Sequence, residues 1–185
     1  GYWYFWEEPK STIGKVQQWK GNAGSVVRAW AFYRRYGKER ERMSEHAVLN
    51  ANYLRHRITQ GMAGEAENAT FEQGAPANVV KHEFTLNMTP MKEKNGVTAK
   101  DVAKRLLDFG YMAPTLYFPQ IVPECLMFEP TESDSKEVLD NFADDFLTIL
   151  SEDPEILKSA PHTTPVKRVD EVLAARQLIL KYSYE

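Results

Sequence analysis

Cysteine is almost absent from this sequence of 185 residues, which contains only Cys125. A single cysteine excludes an intrachain disulfide and a zinc site built from several thiolates. It also fits a reducing cytoplasm, where structural disulfides are rare. We expect Cys125 to be a small apolar strand residue, and we predict no metal site.

Long apolar runs and a strong excess of one charge are lacking as well. The longest run without a charged residue, 109–123, contains three prolines, whereas a helix that spans a bilayer needs about 20 apolar residues. Lysine and arginine total 23 against 26 for aspartate and glutamate, so the formal net charge is −3. Without a basic stripe there is no electrostatic case for nucleic-acid binding. We therefore expect a soluble protein that binds neither membranes nor nucleic acid.

Aromatic residues, in contrast, are concentrated at the start of the chain, where residues 2–6 are all Tyr, Trp or Phe. No cationic region or cleavage site accompanies them, so they are not a secretory signal. Chain termini are normally polar, and an apolar patch of this kind needs cover. We expect the run to lie inside a larger protein or against a partner, to promote self-association, and to begin at a cut rather than a natural start.

The stretch 98–132 organises the middle of the chain. Thr98 stands three residues before Asp101, the spacing of a capping box, which predicts a helix over about 99–109 that ends at Gly110. The prolines that follow break the chain into short extended pieces. Strands are therefore predicted over 115–118 and 124–129.

The remaining elements follow from caps and apolar periodicity. Thr131 stands three residues before Asp134, and this second cap predicts a helix over 133–150. The apolar residues of 22–36 nearly encircle the axis, so a helix buried on several sides is predicted there. The other expectations are a helix over 38–60, a loop over 61–77, a strand over 79–88, a turn-like loop over 89–97, and a tail from Pro154 that is extended except for a short helix at 170–176.

This order predicts an α+β fold with helices on one face of a small, mainly antiparallel sheet. We divide the chain into an aromatic segment with two bridging helices (1–60), the α+β small domain (61–150) and a tail that packs on it (151–185). Together they are expected to form one compact domain.

Seven segments of the sequence resemble the C-terminal part of glycine dehydrogenase (decarboxylating), the P-protein of the glycine cleavage system. Their order and spacing are most similar to the second subunit of the bacterial two-subunit form. The segments are LNANYL at 49–54, HEF at 82–84, DVAKRLLDFG at 101–110, APT at 113–115, EPTES at 129–133, PHTTPV at 161–166 and DEVLAAR at 170–176.

The resemblance implies the small C-terminal domain of an aminotransferase-like (fold type I) pyridoxal-phosphate enzyme that forms oligomers. It implies glycine as substrate and, as partners, the first subunit, the large domain and the lipoyl-bearing H-protein. In that family a lysine after a histidine holds the cofactor near a glycine-rich run, and neither feature occurs in this sequence. We therefore expect this chain alone to bind no cofactor and to be inactive. The alternative is a non-catalytic α+β domain that binds a partner or a metabolite.

Two places carry candidate functional residues. His82 is the best acid–base candidate because imidazole titrates near neutral pH; alternatively, it is a satisfied core residue on the inward face of a strand, beside Phe84, with Glu83 pointing the other way. Gly21 and Asn22 begin a helix and could bind the cofactor phosphate through backbone N–H groups. Their alternative role is a plain helix cap.

Other polar residues have simpler interpretations. Met112 stands where the family usually has histidine, and a thioether cannot transfer a proton. If that position only packs in an apolar pocket, histidine there would cost stability. We expect Glu129 and Glu132 to be a strand end and a helix N-terminal charge rather than a catalytic pair. The remaining histidines are predicted to be solvated (His46 and His56) or without a local partner (His162).

Overall fold

The computed structural model describes residues 10–13, 21–62 and 79–181. The aromatic run at 2–6 and nearly all of the loop predicted at 61–77 lie outside the described residues. The helices are α1 (Ala23–Tyr36), α2 (Arg40–Gly61), α3 (Thr89–Asn95), α4 (Ala99–Asp108), α5 (Lys136–Ser151), α6 (Pro154–Ser159) and α7 (Glu171–Arg176), with a 3₁₀ turn at Gly37–Glu39; the strands are β1 (Phe84–Asn87), β2 (Thr115–Leu116) and β3 (Cys125–Phe128).

The chain divides into two compact units, residues 1–42 and residues 43–185. In the first unit, α1 begins where the Asn22 side chain accepts a hydrogen bond from the Ser25 N–H, as expected of an N-cap. The predicted burial of this helix is wrong, since no residue of α1 is buried and Trp30 is 64% exposed. An apolar pattern shows which face of a helix could be buried, whereas burial also requires another element that packs against that face.

The second unit is built on a three-stranded antiparallel sheet with the order β1–β3–β2. Phe84 of β1 pairs with Phe128 of β3, and their rings stack with centroids 5.3 Å apart. Such cross-strand aromatic pairs stabilise the register. The α+β fold class predicted from the sequence is confirmed, although each strand is shorter than expected.

Helix α4 shows why the sequence folds in this way. Thr98 and Asp101 form the predicted capping box, and Leu106 on the apolar face is fully buried. On the other face, Arg105 donates two hydrogen bonds to Glu152 at the end of α5, at 2.8 and 2.7 Å. The central core comprises Ala51, Leu54, Ile58, Phe84, Leu86, Val102, Ala103, Leu106, Leu126, Phe128, Leu139, Ala143, Phe146, Ile149 and Leu157.

Two segments that were predicted to be irregular are helices. α3 replaces the loop expected at 89–97, and α6 replaces the first part of the extended tail. Both have proline in the first turn, where the missing N–H would have no helical partner and the fixed φ favours a helix. At these two positions proline starts a helix rather than breaking one.

The start of α5 also differs from the prediction. Thr131 and Asp134 do interact, since the Asp134 carboxylate accepts the Thr131 N–H at 2.7 Å, but they close a turn before the helix. Ser135 is the N-cap, and the helix begins at Lys136. At the end of α2, a Cβ on Gly61 would lie 2.3 Å from the Leu147 side chain, so a larger residue there would require that side chain to move.

The tail is held to α4 by two acidic residues of that helix. Asp108 accepts hydrogen bonds from the backbone N–H groups of His162 and Thr163, at 2.6 and 2.7 Å, and Asp101 pairs with Arg168 at 2.7 Å. The short helix predicted at 170–176 is confirmed as α7. Among the helices in the described ranges, none has the length and apolar character needed to cross a membrane.

Candidate functional site

A cavity of about 340 Å³ opens in the second unit between residues 111–115, the end of β3 and the first turns of α5. This volume lies within the range of small-molecule pockets. Its walls are mainly apolar, and the two charged residues that line it, Glu129 and Asp134, are both acidic. The lining comprises Leu54, Tyr111, Met112, Ala113, Pro114, Thr115, Met127, Phe128, Glu129, Pro130, Asp134, Val138, Leu139 and Phe142.

Tyr111 fixes one wall of the cavity. Gly110 takes a left-handed φ of +84° and turns the chain after α4, so that Tyr111 packs edge-on against Phe142 with ring centroids 4.9 Å apart. The Tyr111 hydroxyl donates to Asp145 at 2.5 Å. Burial and this hydrogen bond raise the pKa of Tyr111 to about 12. Tyr111 therefore anchors the wall and remains protonated at neutral pH.

The opposite rim is the turn after β3, and Asn50 of α2 holds it in place. The Asn50 side-chain amide donates to the Thr131 carbonyl at 2.7 Å and to the Asp134 carbonyl at 3.0 Å. One amide thus ties the LNANYL segment to the EPTES segment. The turn is where Glu129 leaves the sheet, so Asn50 indirectly orients that carboxylate.

Asn52, two residues further along α2, holds the segment that leads to β1 in place. Its amide N–H donates to the Val80 carbonyl at 2.7 Å, and its oxygen accepts the Val80 N–H at 2.9 Å. These two hydrogen bonds resemble those between paired strands, and they fix the backbone two residues before His82. Sequence reasoning missed both asparagines, although asparagine is unfavourable within a helix and its presence twice in LNANYL was an available signal.

His82 lies in a bend before β1 and not on the inward face of a strand, so the predicted placement beside Phe84 is wrong. Its side chain is about half exposed. The Nε2 atom is 3.8 Å from a Glu129 oxygen and 3.9 Å from a Glu83 oxygen. The bend thus brings His82 and Glu83 together, which a regular strand would have prevented. The structure places His82 beside a carboxylate of the cavity rim.

Gly21 and Asn22 lie at the N-terminus of α1, in the first unit. Gly21 has φ of +74° and Asn22 caps the helix through the Ser25 N–H at 3.2 Å. Both residues are exposed, and the first turn of α1 contains no acidic residue. The cap role is therefore present, and the role in cofactor binding stays a prediction.

The other candidate residues occupy varied environments. Met112 is 91% exposed, so it does not fill an apolar pocket. Glu129 is a strand-end residue as expected, whereas Glu132 lies in the turn before α5 and not in its first turn. His46 and His56 are exposed as predicted, but His162 does have local partners, because its N–H donates to Asp108 and its Nε2 lies 3.2 Å from Ser159.

Cys125, the first residue of the central strand β3, and its neighbour Glu124 are both buried. Burial raises the pKa of the Cys125 thiol, consistent with a packing role. Glu124 is 5% exposed, and its carboxylate accepts the Ala99 N–H at 3.1 Å and a hydrogen bond from Lys92. A negative charge at this position stabilises the start of α4. In the described part of the chain, no cluster of three or more His, Cys, Asp or Glu side chains is arranged to hold a metal ion.

Comparison with known proteins identifies close relatives of this chain. Residues 43–170 match the family model described as glycine dehydrogenase, C-terminal domain. A probable glycine dehydrogenase (decarboxylating) subunit 2 from Nitrosospira multiformis is 47% identical over 97% of this chain and 36% of its own length. Proteins of the same description from Thiobacillus denitrificans and Methylococcus capsulatus are each 45% identical over 92% and 95% of this chain, and over 35% and 36% of their own lengths. The chain thus spans about a third of the length of these relatives.

Proposed function

Because the chain belongs to the glycine dehydrogenase C-terminal domain family, we propose that it works as this domain within a glycine decarboxylase, the P-protein of the glycine cleavage system. In this reaction glycine loses its carboxylate as CO2, and the aminomethyl group passes to the lipoyl arm of the H-protein. One structural observation supports the proposal that this domain contains part of a functional site. Asn50 ties LNANYL to EPTES beside one cavity, and His82 of HEF lies 3.8 Å from Glu129 on the rim of that cavity.

The proposed partners follow from the relatives' description. They are called subunit 2, which supports a first subunit as partner in an oligomer. The length that the relatives have beyond this match leaves room for the large domain of an aminotransferase-like protein. We place the assembly in the cytoplasm, which the buried, unpaired thiol of Cys125 favours.

Lys92 and Lys136 do not fit the role of the lysine that would hold pyridoxal phosphate. A lysine that forms an imine needs a lowered pKa, whereas the pKa values of Lys92 and Lys136 are raised by hydrogen bonds to Glu124 and Asp140. We therefore propose that the imine lysine belongs to the part of the relatives' length that this chain does not span. In the whole enzyme the cofactor would supply an electron sink for the decarboxylation.

Three residues of this chain are proposed to contribute to that site. Gly21 and Asn22 would present backbone N–H groups at the start of α1 to the cofactor phosphate, and the absence of acidic residues from the first turn favours an anion there. His82 would exchange a proton at Nε2, which lies 3.8 Å from a Glu129 oxygen and 3.9 Å from a Glu83 oxygen.

A chimaera tests the proposal. The matching third of the Nitrosospira relative is replaced by this chain and expressed with the first subunit, and exchange of the glycine carboxyl with labelled bicarbonate is measured with H-protein. We expect exchange by the chimaera and neither exchange nor an imine absorbance band from residues 1–185 alone. A folded chimaera that binds pyridoxal phosphate but does not exchange would favour the non-catalytic, metabolite-binding or partner-binding alternative.

A matched pair of variants tests the role of His82 in the same chimaera. His82→Gln should reduce the exchange rate by about 100-fold or more if the imidazole is an acid–base group, and should remove the limb of the pH–rate profile near neutrality. His56→Gln is the control, because His56 is an exposed histidine of α2 outside the cavity lining. Equal rates for the two variants would reject the catalytic role of His82.

A further inference from the structure

The cavity beside Glu129 combines an apolar body with charge of one sign at its rim. Leu54 and Leu139 are buried in its floor, and Phe142 and Tyr111 form an aromatic corner. The two charged lining residues are both carboxylates. An anionic ligand would be repelled by this rim, whereas a cation would be attracted.

Of the two carboxylates, Glu129 is better placed to meet a ligand. Asp134 already accepts hydrogen bonds from the N–H and the hydroxyl of Thr131, at 2.7 and 3.1 Å. Glu129 is 62% exposed at its side chain, and His82 Nε2 is 3.8 Å away, which is longer than a hydrogen bond. Its oxygens can therefore receive an ammonium group at about 2.8 Å without breaking a protein contact of that kind.

The walls are held in position by the protein itself. The Tyr111 hydroxyl is bonded to Asp145 on α5, and the Asn50 amide fixes the turn after β3. A pocket that is already formed loses little conformational entropy on binding. Its 340 Å³ corresponds to about eleven water molecules at roughly 30 Å³ each, which suits a ligand with one ring and a short side chain.

From these observations we propose that the cavity binds a small organic amine, with an aromatic or aliphatic body against Phe142 and Leu139 and an ammonium group at Glu129. This inference rests on the cavity alone and not on the proposed decarboxylase function. Binding is measured on residues 1–185, whereas the decarboxylase function is measured by exchange in a chimaera, so the failure of one is distinguishable from the failure of the other.

Three probes of similar shape test the charge requirement. Phenethylamine, 2-phenylethanol and 3-phenylpropanoate are titrated into the ¹⁵N-labelled chain at pH 7, and amide shifts are followed by NMR. We expect phenethylamine to bind about two- to fivefold more tightly than the alcohol, as is typical of a partly exposed ion pair, and the carboxylate to give no saturable shift. The shifts should centre on Leu54, Ala113 and Leu139. Equal affinity for amine and alcohol, or shifts centred elsewhere, would overturn the proposal.

Variants then assign the ammonium contact to one carboxylate. Glu129→Gln should reduce the affinity for phenethylamine to that for the alcohol. Glu132→Gln is the matched control, because Glu132 is also exposed, lies three residues along the same turn and does not line the cavity. An amine preference that survives Glu129→Gln, or an equal loss in Glu132→Gln, would contradict the assignment.

A second variant keeps the test decisive if Glu129→Gln perturbs the turn. Val138 lines the cavity from α5 and is 48% exposed, so Val138→Arg should fold and place a cation of the protein near Glu129. We expect it to abolish saturable phenethylamine binding while the circular dichroism spectrum and melting temperature stay close to those of the parent chain. Unchanged phenethylamine binding by folded Val138→Arg would place the ligand outside this cavity.

Discussion

Helices α1 and α4 begin and end with the same kinds of local signal but differ in burial. Asn22 and Thr98 are their N-caps, and Gly37 and Gly110 with positive φ values follow their last turns. Half of the residues of α4 are buried, including Val102 and Leu106, whereas none of α1 is. Local signals therefore start and stop a helix, and they do not decide whether it enters a core.

The difference between the helices lies in what surrounds each one. α4 lies against the sheet and α5, and its polar face makes ion pairs with Glu152 and Arg168. α1 contains Val26, Val27 and Trp30, which are 61–67% exposed. Its aromatic ring pairs, Phe32 with Tyr33 and with Tyr36, are within the helix. We therefore expect equivalent changes in the two helices to have unequal effects on stability.

The largest difference is expected from removing an apolar side chain. Leu106→Ala should reduce the free energy of unfolding by about 2–5 kcal/mol, because it leaves a cavity in the core. Val27→Ala in α1 should change it by no more than about 0.5 kcal/mol, because Val27 is 61% exposed. Urea denaturation followed by far-UV circular dichroism measures both. Equal losses would show that α1 has a buried face after all.

A smaller effect is expected from Asp108 at the end of α4. Burial would raise the pKa of Asp108, but hydrogen bonds from Thr163, Arg105 and His162 outweigh it and lower the pKa to about 2. The stabilisation is therefore fully present above the unfolded value of 3.8 and is lost as the pH falls through about 2. This difference corresponds to about 2 kcal/mol.

Asp108→Asn tests this contribution. The variant should lose about 2 kcal/mol at pH 7 and should show a flatter stability profile between pH 4 and pH 2, measured by urea denaturation. Glu39→Gln in the first unit is the comparison, because its ion pair with Arg42 is exposed on both sides and should contribute little. A steep acid limb that persists in Asp108→Asn would assign the pH dependence to another carboxylate.

The third comparison concerns the caps. Thr98→Ala should cost about 1 kcal/mol of the stability of the second unit, whereas Asn22→Ala should fray α1 by a similar local amount without changing that core. The four tryptophans, at positions 3, 6, 19 and 30, all precede residue 43. Tryptophan fluorescence therefore reports on the first unit, and hydrogen exchange of the α4 amides reports on the second. Faster exchange in α4 after Asn22→Ala would show that the two caps are coupled.

The smallest effect is expected at Met112, just after α4 and 91% exposed. Met112→His should change the free energy of unfolding by less than about 0.5 kcal/mol, since the imidazole would be solvated. The loss expected for an apolar pocket does not apply here. The melting temperature of the variant checks this, and its pH–rate profile in the chimaera shows whether the family-typical histidine improves turnover. A drop in melting temperature of several degrees would mean that Met112 is covered.

The sequence allowed the fold class and most helices to be predicted, but it placed the candidate site only in part. HEF and EPTES were recognised as separate segments, and His82 was assigned to the wrong face because the strand was expected to begin before it. The proximity of His82 to Glu129 depends on a bend and on Asn52, neither of which follows from alternating hydrophobicity. The same holds for Asn50, whose partners Thr131 and Asp134 are 81 and 84 residues away.

The sequence by itself determined the features that depend on one or two turns of the chain. Examples are the capping box of Thr98 and Asp101 and the turn at Gly110, because their hydrogen bonds and dihedral angles involve residues at most five apart. Only the tertiary structure decided that α4 is buried and α1 exposed, and that Asp108 binds residues 162–163. Burial and long-range hydrogen bonds need two surfaces, and a local pattern describes only one of them.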